Sequence, residues 1–119
     1  MVELLDSEKR PWGAFKVLGQ RPSYVVKQLL VLPGKRLSYQ HHEFRSELWL
    51  TVEGSGTAII DDVVFPLGSG LNLPLLIHAG QKHRIINDTD SNLVIVEIWT
   101  GEELREDDIV RHEDDHGRA

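Results

Sequence analysis

Three features of this sequence predict an all-β fold, an antiparallel sandwich or small barrel. The chain is a succession of short runs rich in Val, Ile, Leu, Phe and Trp, the composition that suits a pleated, half-buried surface. Gly, Pro, Asn and Asp punctuate these runs frequently, where turns would fall. Only one segment, "GEELREDDIVRHE" from Gly101 to Glu113, could carry a short helix, with Gly101 near its start.

In chain order, "GAFKVLG" (Gly13–Gly19) alternates Phe15 and Val17 on one face, as a strand does. "SYVVKQLLVLPG" (Ser23–Gly34) is β-rich and stops at Pro33-Gly34. "RLSYQHH" (Arg36–His42) and "SELWLTVEG" (Ser46–Gly54) follow, separated by a charged corner. "GTAIIDDVVFPL" (Gly56–Leu67) reads as a tight hairpin turning near Asp61-Asp62. "LNLPLLIHAG" (Leu71–Gly80), "KHRIIND" (Lys82–Asp88) and "NLVIVEIWTG" (Asn92–Gly101) complete the series, with turn signals at Ala79-Gly80 and Asp88–Ser91. No internal repeat and no low-complexity linker interrupts it, so residues 1–119 read as a single domain.

Composition excludes several classes. Without cysteine there is no disulfide framework and no thiolate metal site. The stretch "MVELLDSEKRPWG" lacks the apolar run of a signal peptide, and no run is long enough to span a bilayer, so the expected home is the cytoplasm, with no membrane partner. A net charge of −6 argues against a nucleic-acid partner. Much of the acid lies in "EELREDDIVRHEDDHGRA", which reads as a solvated, partly mobile terminus. Discounting it leaves the remainder able to accept an anionic small molecule.

The chemistry gathers between Gly34 and Gly54. Alternation puts Gln40 and His42 on one face of a strand, and Glu47 on the same side as Trp49 and Thr51 of the next. A strand, a corner and a returning strand can aim an amide oxygen, an imidazole and a carboxylate at one point. His83, just past the turn at Gly80, could supply a fourth ligand. Gln, two His and Glu suit a borderline divalent ion: Zn²⁺, Mn²⁺, Fe²⁺, Co²⁺ or Ni²⁺. Because Gln is neutral, such a site keeps a charge near +1, favouring an anionic or oxygen-rich ligand at an open position. Each histidine alone is more often a surface or hydrogen-bonded residue; the ordered set says more. Gly34, five residues, Gln40, one, His42, four, Glu47, six, Gly54 resembles the first motif of the cupin superfamily, with Gln in place of its first His. Ala79-Gly80, His83 and Asn87 resemble the second. That resemblance implies a double-stranded β-helix or jelly-roll barrel with a short helical or irregular C-terminal tail.

A narrower resemblance rests on "RPWGAFKVLG", "VVKQLLVLPGKRLSYQ", "RSELW", "AGQKHRIIN", "VIVEIWTGE" and "EDDIVRHEDDHGR", which cover Arg10 to Arg118. Together they look like the type II mannose-6-phosphate isomerase domain, the C-terminal cupin of bifunctional mannose-1-phosphate guanylyltransferase/mannose-6-phosphate isomerases. With no room in 119 residues for the nucleotidyltransferase domain, guanylyl transfer is not expected of this chain. The resemblance implies that Gln40, His42, Glu47 and His83 hold a divalent metal, zinc first among the candidates. It also implies interconversion of mannose 6-phosphate and fructose 6-phosphate, a proton passing between C1 and C2 through an enediol.

Such a reaction needs a base and a cation for the phosphate. Lys27 shares a strand face with Leu29 and Val31, and Glu97 with Ile95 and Trp99, so both are candidate inward residues. Glu97 could be the base, or it could neutralise Lys27. Arg45 and Arg84, each beside a ligand position, are candidate phosphate-binding residues or corner salt bridges. Trp12 and Trp49 are expected in the core. The chain departs from the family pattern at Glu43, Phe44 and Leu48, where imidazoles are usual, at His78 for Pro and at Leu76 for Tyr. The loop over "FPLGSGLNLPLL" is about two residues longer than that pattern has. These changes predict a more apolar pocket wall near Phe44 and Leu76. Three classes stay open: a sugar-phosphate isomerase, a cupin that binds a sugar, phosphosugar or nucleotide sugar without turnover, and, more weakly, an oxygen-dependent iron enzyme. A homodimer pairing by sheet edges is expected, since an exposed edge needs cover.

Overall fold

A computed structural model describes residues 7–71 and 73–115. They form eleven strands and no helix: β1 (Glu8–Arg10), β2 (Gly13–Arg21), β3 (Tyr24–Val31), β4 (Tyr39–His41), β5 (Arg45–Glu53), β6 (Ser55–Ile60), β7 (Val63–Gly68), β8 (Leu75–Ile77), β9 (His83–Ile86), β10 (Leu93–Gly101) and β11 (Val110–Glu113). Every pairing is antiparallel, in a six-stranded sheet of order β1-β2-β3-β10-β5-β8 and a five-stranded sheet of order β11-β4-β9-β6-β7. No helix among the described residues is long and apolar enough to cross a membrane.

The strands form where the sequence places them, with instructive exceptions. The hairpin β6–β7 turns on Asp61 and Asp62 at φ of 48° and 66°, as a two-residue turn matched to strand twist requires. Tyr39 fixes that turn, its hydroxyl donating to Asp62 Oδ1 (2.7 Å) and accepting from Asp62 N (2.9 Å). The last glycine of the first motif, Gly54, has φ of 79°, and a Cβ there would lie 2.2 Å from the Asn92 carbonyl oxygen. Asn87, which closes the second motif, is fully buried and structural. Its Nδ2 donates to Val31 O and Ser91 O, and its Oδ1 accepts from Thr89 N.

Two expectations are corrected. Phe15 and Val17 do share one face of β2, paired with Leu29 and Lys27, but only Phe15 is buried there; Val17 is exposed, next to the bulge between Val17 and Gly19. The segment from Gly101 to Glu113 holds no helix; it crosses the sheet end irregularly and ends as β11 on β4. Nor is that acidic stretch simply solvated: Asp108 is buried and tied to the corner before β5. The opening six residues and residues 116–119, on which the leader and tail-end readings fall, lie outside the described residues.

The inner face of the six-stranded sheet changes character along its strands. At one end Val31, Leu29 and Ile95 join Trp12, Phe15, Trp49, Ile77 and Ile85 in the core. Moving along, the inward rows become Lys27–Glu97–Trp49 and then Val25–Trp99–Glu47–Ile77, each set by cross-strand register. The sandwich therefore has an apolar end and an ionisable end.

Candidate metal centre

The ionisable end encloses a cavity of about 170 Å³ bordered by Gln40, Arg45, Glu47, His83, Lys27 and Glu97 among others. Glu47 faces inward because β5 alternates Arg45, Glu47, Trp49 and Thr51 to the inside. His42 leaves the short strand β4, and His83 opens β9 directly opposite Gln40. Ligand atoms of His42, Glu47 and His83 all lie within 4.8 Å of one another, and all three residues are buried. The His42 Nε2 is 3.0 Å from Glu47 Oε2, and 3.2 Å from His83 Nε2.

The outer nitrogens decide what this cluster wants. His42 Nδ1 meets Asp108 O at 2.6 Å and His83 Nδ1 meets Gln81 O at 2.9 Å, so each Nδ1 carries a proton that it donates to a carbonyl. In the neutral rings both Nε2 atoms are then bare acceptors, facing each other and a carboxylate. Three acceptors converging in a buried place call for a cation. Within the chain Arg45 answers in part: its Nε donates to Glu47 Oε2 (2.9 Å) and its Nη2 to His42 Nε2 (3.2 Å). The guanidinium also lies 3.4 Å over the Trp99 ring and donates to Arg105 O. The donor set, two imidazoles and one carboxylate, fits a borderline divalent metal.

Electrostatics separate the two buried carboxyls. Burial would raise Glu47, but its close contacts with His42 and His83 and the charge of Arg45 outweigh it and hold its pKa well below the usual carboxylate range. Burial lowers His83, keeping its ring neutral and able to ligate, against the pull of Glu47. Glu97 goes the other way, raised to about 8 by burial and by the charge of Glu47. Each carboxylate also accepts an indole proton from the tryptophan two residues on: Trp49 Nε1 to Glu47 Oε1 at 2.9 Å, and Trp99 Nε1 to Glu97 Oε1 at 2.8 Å. The sequence spells this twice, "ELW" and "EIW", a repeated Glu-x-Trp that signals paired roles on one strand face.

Other candidate residues fall as follows. Gln40 borders the cavity, its Oε1 accepting from Ser38 Oγ at 3.0 Å. Lys27 is buried between the rings of Phe15 and Trp99, 3.9 and 4.5 Å from their centroids. Its ion-pair partner is Glu106 at 2.7 Å, rather than its cross-strand neighbour Glu97. Arg84 also borders the cavity, but it follows His83 and so points from the opposite face of β9. Its Nε donates to Leu37 O, and its Nη1 lies 3.9 Å from Glu113. Trp12 and Trp49 sit in the core as expected, and both border the cavity. The more apolar wall expected near Phe44 and Leu76 is not found, because both side chains are exposed and neither borders the cavity.

Sequence reading takes the segment 105–111 as part of the family resemblance and of an acidic tail, and assigns it no role at the site. The segment supplies Glu106 to Lys27, and the Arg105 and Asp108 carbonyls to Arg45 and His42. The Asp108 carboxylate accepts from Glu43 N (2.8 Å) and Phe44 N (3.0 Å), pinning the corner between His42 and Glu47. Asp108→Ala is expected to lower Zn²⁺ affinity roughly 10–100-fold, the usual cost of losing a group that orients a ligand. A titration showing unchanged affinity in folded Asp108→Ala protein would remove that role.

Comparison with known proteins places this geometry. Residues 2–114 match the family model described as "Mannose-6-phosphate isomerase C-terminal". The mannose-1-phosphate guanylyltransferase ManC of Salmonella typhimurium is 38% identical over 110 residues, which span 92% of this chain and 22% of that protein. The xanthan biosynthesis protein XanB of Xanthomonas campestris pv. campestris is also 38% identical over 110 residues, spanning 92% of this chain and 23% of its own length. The chain thus covers less than a quarter of these curated relatives. Among solved structures, a protein with a double-stranded β-helix domain from Klebsiella pneumoniae superposes with a TM-score of 0.70 at 16% identity, over 82% of each chain.

Proposed function

The chain belongs to the mannose-6-phosphate isomerase C-terminal family of cupins, and from that premise we propose that it is a metal-dependent isomerase of mannose 6-phosphate and fructose 6-phosphate. The observation that carries this reading is the convergence of bare His42 Nε2, His83 Nε2 and the Glu47 carboxylate in a cavity that also holds a carboxyl raised to about 8. Gln40, His42, Glu47 and His83 would hold the ion, zinc first, with Mn²⁺, Co²⁺, Ni²⁺ or Fe²⁺ as alternatives. When bound, it would polarise the sugar's carbonyl and adjacent hydroxyl oxygens.

The chain's own residues do the rest. Glu97, in its ionised form, takes the proton from C2 of the aldose to leave an enediolate; the hydroxyl proton passes from O2 to O1, and Glu97 returns its own proton to C1 to give the ketose. Trp99 holds the Glu97 oxygen in place, and the apolar walls of Trp12, Phe15 and Leu29 limit water near the enediol. Lys27 offers the phosphate a buried cation, exchanging the exposed carboxylate of Glu106 for the substrate's oxyanion. Arg45 keeps Glu47 ionised and turned toward the site. Arg84, facing the tail, is the control for phosphate binding.

A second reading, a cupin that binds a sugar, phosphosugar or nucleotide sugar without turnover, is favoured by one contact. The Arg45 guanidinium already satisfies His42 and Glu47. The experiment loads the protein with Zn²⁺, Mn²⁺, Co²⁺, Ni²⁺ or Fe²⁺ in turn and assays the interconversion. Turnover with at least one metal is expected; none with any metal sinks the isomerase, and calorimetry with phosphosugars and sugar nucleotides then tests binding alone. Chelation is expected to lower Tm, since an ion at about 100 times its Kd stabilises the folded state by about 2.7 kcal/mol.

A further inference from the structure

Alternation along β4 sends Gln40 to the cavity and His41 to the opposite side. Arg111 pairs with Gln40 and also borders the cavity, so its neighbour His112 turns outward as well. A bulge between Arg111 and Glu113 makes His112 the extra residue of β11, and a bulge re-aims the side chain it inserts. The two outward imidazoles meet. Their rings stack with centroids 5.0 Å apart at an interplanar angle of 25°, and His41 Nδ1 lies 2.8 Å from His112 Nε2. Neither ring has a part in the reaction proposed above.

Glu43 decides which nitrogen His41 offers. Its Oε1 is 2.8 Å from His41 Nε2, and a carboxylate only accepts, so that nitrogen holds the ring's proton. Neutral His41 therefore turns a bare Nδ1 toward His112. A carboxylate behind an imidazole is the arrangement that orients a metal-ligating histidine and raises its basicity. Partial loss of solvent, with the charges of Lys82 and His41, lowers the His112 pKa, so this ring too is neutral and able to ligate. Its proton has only to sit on Nδ1 for Nε2 to become a second donor.

We propose that His41 Nδ1 and His112 Nε2 form a second metal site, separate from the buried centre, that takes a tetragonal ion, Cu²⁺ or Ni²⁺, with water completing its coordination. The proposal does not depend on the isomerase reading. Spacing selects the ion. With metal–nitrogen bonds of about 2.0 Å, cis ligands of a square-planar ion stand about 2.8 Å apart, and those of a tetrahedral ion about 3.3 Å. The outer nitrogens are 2.8 Å apart, whereas the buried Nε2 atoms of His42 and His83 are 3.2 Å apart. The two pairs thus suit different geometries. Exposure suits the outer pair to an ion that keeps water: His112 and Glu43 reach solvent, and His41 is only partly covered. An ion there also clasps β11 to β4. That strand follows Asp108, whose carbonyl and carboxylate hold His42 and the corner before β5.

Calorimetric titration of Zn²⁺-loaded protein with Ni²⁺ tests this, with bound Zn²⁺ measured before and after. The wild-type chain is expected to take up one equivalent of Ni²⁺ in the micromolar range and keep its Zn²⁺. His112→Asn and His41→Asn should each weaken that uptake at least tenfold. Glu43→Gln, which removes no ligand, should weaken it about tenfold, the low end for a group that orients one. Should His41→Asn disturb the neighbouring His42, seen as lost Zn²⁺, the exposed His112→Asn still decides. Cu²⁺ on the wild type is expected to give a tetragonal electron paramagnetic resonance spectrum split by two nitrogens, and His112→Asn to lose that splitting. Failure of Zn²⁺ to load counts against the buried centre alone, because the Ni²⁺ equivalent removed by His112→Asn is read independently of it. The proposal is overturned if the wild type takes up no Ni²⁺, if uptake survives His112→Asn, or if each Ni²⁺ bound expels a Zn²⁺.

Discussion

Glu47→Gln is expected to bind divalent metal far more weakly than the wild-type chain, and to lose turnover with it. The substitution keeps the shape and can still accept from Trp49 Nε1 and Arg45 Nε, so what disappears is the charge. Glu47 is the one carboxylate in the convergent group, and the two imidazoles contribute none. Losing a group that only orients a ligand costs about 10–100-fold in affinity, and losing the anionic ligand itself should exceed that. A second consequence separates this site from a merely structural ion pair. Arg45 and Glu47 are both buried, with side chains 6% and 3% exposed. Removing one charge of a buried pair typically costs about 3–5 kcal/mol because its partner stays behind uncompensated. The metal-free variant should therefore melt well below metal-free wild type, and added Zn²⁺ should rescue wild type but not the variant. If calorimetric titration gives the variant wild-type Zn²⁺ affinity, Glu47 is not a ligand.

The residues of the candidate metal centre were legible in the sequence because each sits at a fixed spacing around glycines whose backbone the fold constrains. Gly54 shows why: its positive φ and the nearby Asn92 carbonyl leave no room for another residue. The strands were legible because β5 and β10 alternate cleanly, and Asp61-Asp62 is a turn that only a few residue types make well. Legibility failed where structure depends on contacts distant in sequence. Asp108 meets Glu43 from 65 positions away, and Glu106 meets Lys27 from 79. An acidic segment of that composition reads as solvated, and nothing local says that one of its carboxylates will cap buried amides. Arg84 shows the limit of strand parity. Being next to His83 in sequence puts it on the opposite face of β9, yet its long side chain still borders the cavity.

Glu97→Gln is expected to reduce turnover by about 10²–10⁴-fold, the usual contribution of a positioned base, while leaving metal binding intact. Its effect on stability carries a sign that can be worked out. The folded pKa of about 8 lies above the ordinary value of 4.5, chiefly because burial disfavours the ionised form. A group raised on folding binds its proton more tightly in the native state, so its stabilisation is complete below about pH 4.5 and is lost as pH climbs through about 8. At about 1.36 kcal/mol per pKa unit, the loss over that window is on the order of several kcal/mol. Glutamine is neutral at every pH, so the variant should lack this loss. Subtracting its pH–stability curve from that of metal-free wild type should isolate a wild-type deficit growing from pH 4.5 to 8. Catalysis runs against stability here. At pH 7 a carboxyl with a pKa of about 8 is only about one-tenth ionised, so kcat/KM limited by Glu97 as base should rise with pH. A metal ion beside Glu47 would shift that rise to lower pH, since a nearby cation favours the carboxylate. A flat stability difference would show that Glu97 is not held neutral, and an active Glu97→Gln enzyme would show that another group takes the proton.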